Sequence, residues 1–446
     1  MQYGIVSKQR FNPEQIAEKR LYNALVIYLV GFFLNEVLTI DLGLLFLRPE
    51  KIALLVGCYL VFPYASVPFN VAGKSSLLLR TWVYYNLWMG ISVFWNPEYG
   101  SILNQLNIFL KHGGEALLTC GFVGAIMRAG GLNTLRRVLP LFVLFAFTEI
   151  ITGSLDYLLG QRVVPSGTRD ADYTYGIGIF GFHAERLIFA EIMVIGTAIS
   201  LGRLTSGGGS FLLRWIVLVL APLFLLLLSS YTGILAYLLL LSIYLMKLAN
   251  WKGRLSIVII MVLGVAVFPN LYGTLTPDWF REATAKKLES RMEGSETSEW
   301  RFLTSAYLLE RVWENPSLVG QGYFSSKDEI GSLFDKANTS HTLASIPYEQ
   351  GAIGVALLGW LLFLFLWHLY GFLRSDDTHD HMPKDIRLFV VAVALCALMR
   401  FLFYYQVSNV YLYLLAVTFL SSAKICYRKN AATVQRSFTA VQLTGD

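Results

Sequence analysis

The sequence predicts an all-α, polytopic membrane protein with about twelve transmembrane helices. Of its 446 residues, 55% are hydrophobic and only 15% are charged, whereas about a quarter of the residues of a soluble domain are charged. The mean hydropathy is +0.54. The apolar residues form blocks of roughly 16 to 25 residues without strand-like alternation, the length that an α-helix needs to cross a bilayer. Since lipid offers the backbone no hydrogen-bond partners, helices are the expected element throughout.

The predicted spans divide the chain into four parts. Residues 1–268 hold spans one to nine, residues 269–351 form a periplasmic loop subdomain, residues 352–427 hold spans ten to twelve, and residues 428–446 form a cytoplasmic tail. The spans are expected at residues 21–40, 52–69, 77–95, 103–127, 138–159, 187–201, 211–228, 231–246, 255–268, 353–373, 388–403 and 410–425.

The basic residues set the predicted orientation, because cytoplasmic loops retain positive charge. With both termini in the cytoplasm, the inner segments hold about 21 of the 36 basic residues. The short outer loops hold only Arg48, Lys51, Arg162, Arg169 and Arg186. The reverse orientation would invert this bias, so the sequence predicts a multi-pass protein with both termini inside.

Several classes of site are not expected. The four cysteines are scattered singly, without the paired spacing of a metal site or a redox motif. The net charge of +6 is what cytoplasmic loops give a membrane protein, so it does not indicate nucleic-acid binding. We therefore predict neither a metal site nor a nucleic-acid partner.

The segment of residues 269–351 is much longer than the other loops and falls on the outer side. Loops of this length are usually functional or disordered. Residues 300–313 carry an apolar face at helical spacing. We therefore expect a folded, partly helical subdomain before the tenth span.

Arginines on the outer side run against the positive-inside tendency and suggest an anionic ligand. A planar guanidinium binds phosphate oxygens through two parallel hydrogen bonds. The candidates are Arg186, Arg281, Arg291 and Arg301. The alternative is that each is a solvated surface charge or pairs with a nearby acid such as Glu289, Glu293 or Glu299, in which case it contributes little.

His341 is the candidate base. It lies shortly before the tenth span, close in sequence to Tyr348 and Glu349, and an imidazole accepts protons at neutral pH. His183 lies three residues before Arg186 and is expected to line the same outer site. Taken alone, a loop histidine is more often an ordinary surface residue.

Lys111, Glu115 and Arg400 stand out among the ionisable residues within the predicted spans, where charges usually face a partner or a cavity. Lys111 and Glu115 are four residues apart in the fourth span, so they either pair with each other or line the wet interior of the bundle. Arg400 lies toward the outer end of the eleventh span. It either lines the same cavity or extends outward to the lipid headgroups.

Three local sequences resemble one family of membrane enzymes. In the first sequence, Arg291 and an Arg301-containing helix precede Asn315, Pro316, Gly320 and Gly322. In the second, residues 341–355, His341 precedes a Gly-x-x-Gly by ten residues. The third sequence, residues 178–191, opens the sixth span. Together with the long outer loop before the tenth span, these sequences resemble the O-antigen ligase and polysaccharide polymerase superfamily. The members of this superfamily are integral-membrane glycosyltransferases, and the resemblance implies a GT-C-like fold.

The resemblance implies transfer of a glycan from undecaprenyl diphosphate to an acceptor hydroxyl at the periplasmic face of the bacterial inner membrane. In Wzy-type polymerases the acceptor is another lipid-linked repeat unit, and in WaaL-type ligases it is lipid A-core. Thr342 and Tyr231 depart from the ligase pattern, so a polymerase is favoured and a ligase is the alternative. A flippase and a chain-length regulator are the expected protein partners, and no cofactor is implied.

The resemblance also suggests roles for the candidate residues. Arg186, Arg291 and Arg301 would hold the diphosphate, and Arg281 is a further candidate for binding it. His341 would orient or deprotonate the acceptor hydroxyl, which Tyr348 or Glu349 would position. Direct displacement would invert the anomeric centre without a metal.

Two other classes fit twelve helices with both ends inside: a transporter and a non-catalytic partner of a polysaccharide export complex. Transporters are often built from two related halves with broken helices at the binding site, and the sequence shows no such halves. A long outer segment rich in arginine is also unexplained by transport. The enzyme is therefore the favoured class.

Overall fold

The structure of the chain is a computed structural model. The described residues are 12–34, 40–41, 46–70, 75–96, 101–129, 132–159, 163–164, 186–206, 211–227, 230–248, 251, 254–255, 258–259, 278, 281–282, 298–334, 342–374, 382–403 and 412–422.

Nine helices precede the long outer segment in the described part of the chain. They are α1 (Pro13–Phe33), α2 (Pro49–Val61), α3 (Val67–Asn70), α4 (Ser75–Ser92), α5 (Ile102–Ala129), α6 (Leu132–Leu159), α7 (Arg186–Ser206), α8 (Phe211–Leu227) and α9 (Tyr231–Ile243). Short 3₁₀ turns follow α2 and α4, a π-helical turn, Tyr244–Leu248, follows α9, and two-residue strands, β1 (Ile40–Asp41) and β2 (Phe46–Leu47), pair antiparallel between α1 and α2.

The rest of the described chain is also helical. Two helices, α10 (Ser298–Glu314) and α11 (Ser325–Phe334), lie in the segment of residues 269–351, which keeps the name outer subdomain from the predicted orientation. They are followed by α12 (Thr342–Arg374), α13 (Lys384–Phe403) and α14 (Leu412–Ser422). The prediction of an all-α protein is confirmed, apart from the two short strands.

Three helical segments in the described chain are long and apolar enough to cross a membrane: Pro49–Asn70, Thr134–Leu159 and Leu343–Arg374. Phe211–Leu226, Thr232–Met246 and Leu412–Ser422 are apolar but shorter. These segments indicate a membrane protein, whereas the count of twelve spans stays a prediction. Most of the predicted ninth span, 255–268, lies outside the described residues.

Two central helices, α7 and α13, form the middle of the bundle and pack against each other. Phe189 on α7 and Phe389 on α13 are fully buried, and α7 also contacts α6, α8 and α9. A helix that is apolar on all sides belongs in the interior of a large or membrane-embedded protein. Any charged group on these two helices therefore needs a partner within the bundle.

A kink in α12 separates its first turns from its apolar part. Gly351 has φ 62° and ψ −163°, which is not helical. The predicted boundary between the outer subdomain and the tenth span, at residues 351 and 352, falls on this kink. Gly351 thus joins the first turns of α12, Thr342 to Gln350, to its apolar part.

Candidate functional site

The kink in α12 is held by the turn between α10 and α11. The amide of Gln321 donates to the carbonyl of Tyr348 and that of Gly322 to the carbonyl of Glu349, both at 2.8 Å. Beyond the kink, the amide of Ala352 donates to the carbonyl of Ser317 at 3.1 Å. A kink breaks the helical hydrogen-bond ladder, so its free groups need outside partners. The turn supplies them.

Three glycines make this contact possible. Gly320, Gly322 and Gly351 have φ of 75°, 95° and 62°, the left-handed region that other residues rarely adopt. The two backbones also lie very close, because a Cβ on Gly320 would be 2.4 Å from the carbonyl oxygen of Glu349. The glycines that carried the family resemblance are therefore required here by both conformation and space.

Glu349 is buried directly beneath this contact. Glu349 is 0% exposed to solvent. Its Oε1 accepts a hydrogen bond from the hydroxyl of Ser326, which is also buried. Ser326 lies in the first turn of α11. Glu349 thus joins α11 to α12 from the inside of the outer subdomain.

Tyr348 lies at the neighbouring position but on a more open face. It is partly buried and packs against a small cluster of Leu308, Ile330 and Ala344, one residue from each of α10, α11 and α12. Consecutive helical positions point about 100° apart, so Tyr348 and Glu349 face different neighbours.

Side chains and backbone of α4 attach the outer subdomain to the bundle. The indole Nε1 of Trp88 donates to the carbonyl of Gln350 at 3.3 Å. Just after α4, the side-chain amide of Asn96 donates to the carbonyl of Tyr323 at 2.8 Å. The backbone amide of Tyr323 in turn donates to the carbonyl of Ser92 at 3.2 Å. The turn and the kink are therefore fixed to the same helix.

A buried polar contact links the turn to α5. The Nε2 of His112 and the hydroxyl of Tyr323 are 3.3 Å apart, and the Nδ1 of His112 is 3.8 Å from Oε2 of Glu115. All three side chains are almost fully buried. Sequence reasoning missed Tyr323; the only available signal was its place directly after the Gly-x-Gly turn.

Lys111 pairs with Glu50 rather than with Glu115. Its Nζ is 3.6 Å from Oε1 of Glu50, in the first turn of α2. Glu115 instead lies beside His112. The i, i+4 spacing predicts that two residues share a helix face, but the neighbouring helix offers Lys111 another carboxylate.

Arg400 is buried and does not extend to the headgroups. Its Nε donates to Oε1 of Glu191 at 2.5 Å, and its Nη2 donates to Oε2 at 3.0 Å. Both residues are buried, at 7% and 3% exposure. This ion pair joins the two central helices. Glu191 was present in the third family-like sequence but was not singled out.

The remaining predicted site residues are described less fully. Arg281 is exposed, and its Nη2 lies 3.8 Å from Oδ1 of Asp278. Arg186 is the first residue of α7 and Arg301 lies in the first turn of α10, but their side chains are outside the described part. His183, Arg291 and His341 also lie outside the described residues.

A polar group on the surface of the outer subdomain was also not predicted. The hydroxyl of Tyr307 donates to Oε1 of Glu329 at 2.7 Å and accepts from Nε of Arg311 at 2.8 Å. Burial and the bond to Glu329 raise the pKa of the Tyr307 phenol above its ordinary value. The group ties α10 to α11. Among the described residues, no cluster of His, Cys, Asp and Glu is suited to hold a metal ion.

Comparison with known proteins found no family model that matches the chain and no curated protein of similar sequence.

Proposed function

We propose that this protein is a membrane glycosyltransferase that polymerises undecaprenyl diphosphate-linked repeat units of a bacterial polysaccharide. The acceptor hydroxyl oxygen attacks C1 of the donor sugar, the bond from C1 to the diphosphate oxygen breaks, and undecaprenyl diphosphate leaves. The hydroxyl proton passes to His341. In this proposal the chain crosses the inner membrane twelve times, both termini are cytoplasmic, and the reaction takes place at the periplasmic face.

The observation that carries the proposal is the contact between the turn of residues 317–322 and the kink of residues 348–353. The family resemblance singled out both segments, although about 30 residues separate them in the chain. Residues that belong to the motifs of one family are expected to act in the same site. Direct backbone hydrogen bonds between the two segments support their assignment to one site.

The proposed donor site is cationic. Arg186 begins α7 and Arg301 lies in the first turn of α10. Arg281 and Arg291 are the other two arginines of the proposed set. The leaving diphosphate gains negative charge as the C1–oxygen bond breaks, and fixed guanidinium donors stabilise that charge. Each preorganised donor contributes about 3 to 4 kcal/mol at most.

His341 directly precedes Thr342, the first residue of α12, so the proposed base is connected to the helix that carries Glu349. Because Glu349 is fully buried and bound by Ser326, we assign it a positioning role: it holds the first turns of α12 against α11. Tyr348, which is partly exposed, is the better placed of the two to contact an acceptor sugar.

The test is glycan transfer by the purified full-length protein in nanodiscs with an undecaprenyl diphosphate-linked repeat unit from the host strain. His341→Ala and Arg301→Ala should each reduce polymer formation by about 100-fold or more. Glu349→Gln should reduce kcat without changing the pH profile, as expected for a positioning residue. Glu310→Gln, at an exposed position of α10, is the matched control and should retain activity.

The outcome separates the alternative functions. Near-normal transfer by His341→Ala and Arg301→Ala would rule out this site assignment. Transfer to added lipid A-core, but not to a second repeat unit, would identify a ligase. Uptake of solute into sealed vesicles without any transfer would identify a transporter.

A further inference from the structure

Charged residues from four helix ends form a cluster at the end of the bundle opposite the outer subdomain. Arg136 lies near the start of α6, Arg203 near the end of α7, Arg214 near the start of α8, and Asp385 near the start of α13. By the distribution of basic residues, this end of the bundle is the predicted cytoplasmic end.

Two of these arginines share one buried carboxylate. The Nε of Arg136 is 3.1 Å and the Nε of Arg203 is 3.4 Å from Oδ2 of Asp385, whose residue is 0% exposed. The Nη2 of Arg203 also donates to the carbonyl of Arg136 at 3.3 Å. Gly202 lies against the backbone of Asp385, which brings the end of α7 close to the start of α13.

Arg214 adds a third guanidinium without a carboxylate of its own. It is only 5% exposed, and its Nη1 donates to the carbonyl of Arg203 at 3.1 Å. Among the described residues, no acid lies within ion-pair distance of Arg214. Two guanidinium groups therefore contact the carboxylate of Asp385, and a third, from Arg214, is bound to the backbone of Arg203. These four side chains together carry an excess of two positive charges.

An excess of positive charge that includes a buried guanidinium such as that of Arg214 is unfavourable unless an anion neutralises it. The cluster is also built to receive one. The N-termini of α6, α8 and α13 lie here, and helix N-termini attract anions through their free amides and their dipoles. Guanidinium groups match the geometry of phosphate oxygens.

The surroundings of Arg214 favour a lipid as the source of the phosphate. Phe211 and Leu212 precede it in the first turn of α8, and both side chains are 69% exposed. The ring centroids of Phe211 and Trp215 are 5.9 Å apart. Tryptophan residues such as Trp215 are enriched at the level of the lipid headgroups, and basic pockets between helices on the cytoplasmic side bind anionic headgroups.

We propose that the cluster of Arg136, Arg203, Arg214 and Asp385 binds the phosphate of an anionic phospholipid of the cytoplasmic leaflet. The acyl chains of this lipid lie along the exposed apolar start of α8. The site is independent of the proposed glycosyl transfer, because its residues lie at the other end of the bundle.

The test is native mass spectrometry of the full-length protein released from nanodiscs of phosphatidylcholine with or without phosphatidylglycerol. Wild-type protein should retain phosphatidylglycerol. Arg214→Gln should reduce its retention by about tenfold, since one charge-assisted hydrogen bond to phosphate is lost. Arg136→Gln, at a partly exposed position, should also reduce the retention of phosphatidylglycerol. The matched control is Arg137→Gln, whose side chain is 67% exposed and pairs with Glu18.

Equal retention of phosphatidylglycerol by wild type, Arg136→Gln, Arg214→Gln and Arg137→Gln would overturn the proposal. A parallel experiment adds inorganic phosphate to wild-type protein in phosphatidylcholine alone and measures thermal stability. Stabilisation by inorganic phosphate, with no retained phosphatidylglycerol, would show a free phosphate site and overturn the assignment to lipid. Stabilisation only by phosphatidylglycerol would support it.

Discussion

Arg400 and Glu191 form a bidentate ion pair between the central helices α13 and α7, with donor–acceptor distances of 2.5 and 3.0 Å. Both residues are almost fully buried. Parallel hydrogen bonds between a guanidinium and a carboxylate are among the strongest in proteins and fix the orientation of both groups. The pair therefore sets how the two central helices are aligned.

Replacing Arg400 by methionine should strongly destabilise the protein. The change leaves the carboxylate of Glu191 buried without its guanidinium, which costs about 3 to 5 kcal/mol. The measurement is thermal unfolding in detergent. The double variant Glu191→Leu/Arg400→Met should recover much of the loss, because it removes both charges.

The control for this ion pair is Arg374→Met, at the exposed end of α12, which should have little effect. If Arg400→Met unfolds at the same temperature as Arg374→Met, the pair does not stabilise the bundle.

The glycine turn gives a second prediction. Gly322→Ala should loosen the outer subdomain, because its φ of 95° is strained for alanine and a Cβ would lie 2.7 Å from the backbone nitrogen of Asn96. Left-handed strain alone costs about 1 to 3 kcal/mol. The measurement is the rate of limited proteolysis between α10 and α12.

Gly359→Ala is the matched control, since a Cβ there meets no atom within 4 Å. Its position in the apolar part of α12 should accept alanine with no loss, or with a small gain from helix propensity. Equal proteolysis of Gly322→Ala and Gly359→Ala would contradict the tight contact between turn and kink.

Lys111 should be coupled energetically to Glu50 and only weakly to Glu115. Two double-mutant cycles, Lys111→Met with Glu50→Gln and Lys111→Met with Glu115→Gln, measure both interactions by thermal unfolding. Residues in direct contact show coupling of about 0.5 to 3 kcal/mol. We expect a value in this range for Glu50, 3.6 Å away, and a smaller value for Glu115. The reverse order would contradict the observed pairing.

Tyr323→Phe should destabilise the attachment of the turn to α5. The change removes the hydroxyl that lies 3.3 Å from Nε2 of His112 and leaves a buried imidazole nitrogen without that partner, at a cost of about 1 to 3 kcal/mol. Chemical denaturation in mixed micelles measures the loss. Tyr59→Phe, at a residue that is 80% exposed, should unfold like the wild type. Identical unfolding of the two variants would show that the contact of His112 and Tyr323 contributes nothing.

Much of the helical layout could be predicted from the sequence, because long apolar blocks have only one way to satisfy their backbones in lipid. The blocks around α5, α6 and α8 matched the observed helices within a few residues, except that α6 begins six residues before its predicted span. Polar residues at helix ends, such as Arg136, do not interrupt a helix, so hydropathy underestimates its length.

Only those parts of the candidate site that form a motif within a short stretch of sequence could be predicted. Gly320, Gly322 and Gly351 stood out through the family resemblance, and the structure gives the physical reason for glycine there, since all three have a left-handed backbone. The partners of ionisable residues were not predictable: Glu50 for Lys111 and Glu191 for Arg400 come from helices distant in the chain. One sequence allows many such pairings, and helix packing selects among them.

The amino-acid sequence by itself determined that this chain is helical and apolar, since these properties depend on residues close together in the chain. Only the tertiary structure decided which charges meet: Arg400 with Glu191, Lys111 with Glu50, and Arg136 and Arg203 with Asp385. The physical reason is distance, because ion pairs and hydrogen bonds act over a few ångströms and the packing of separate helices sets which groups come that close.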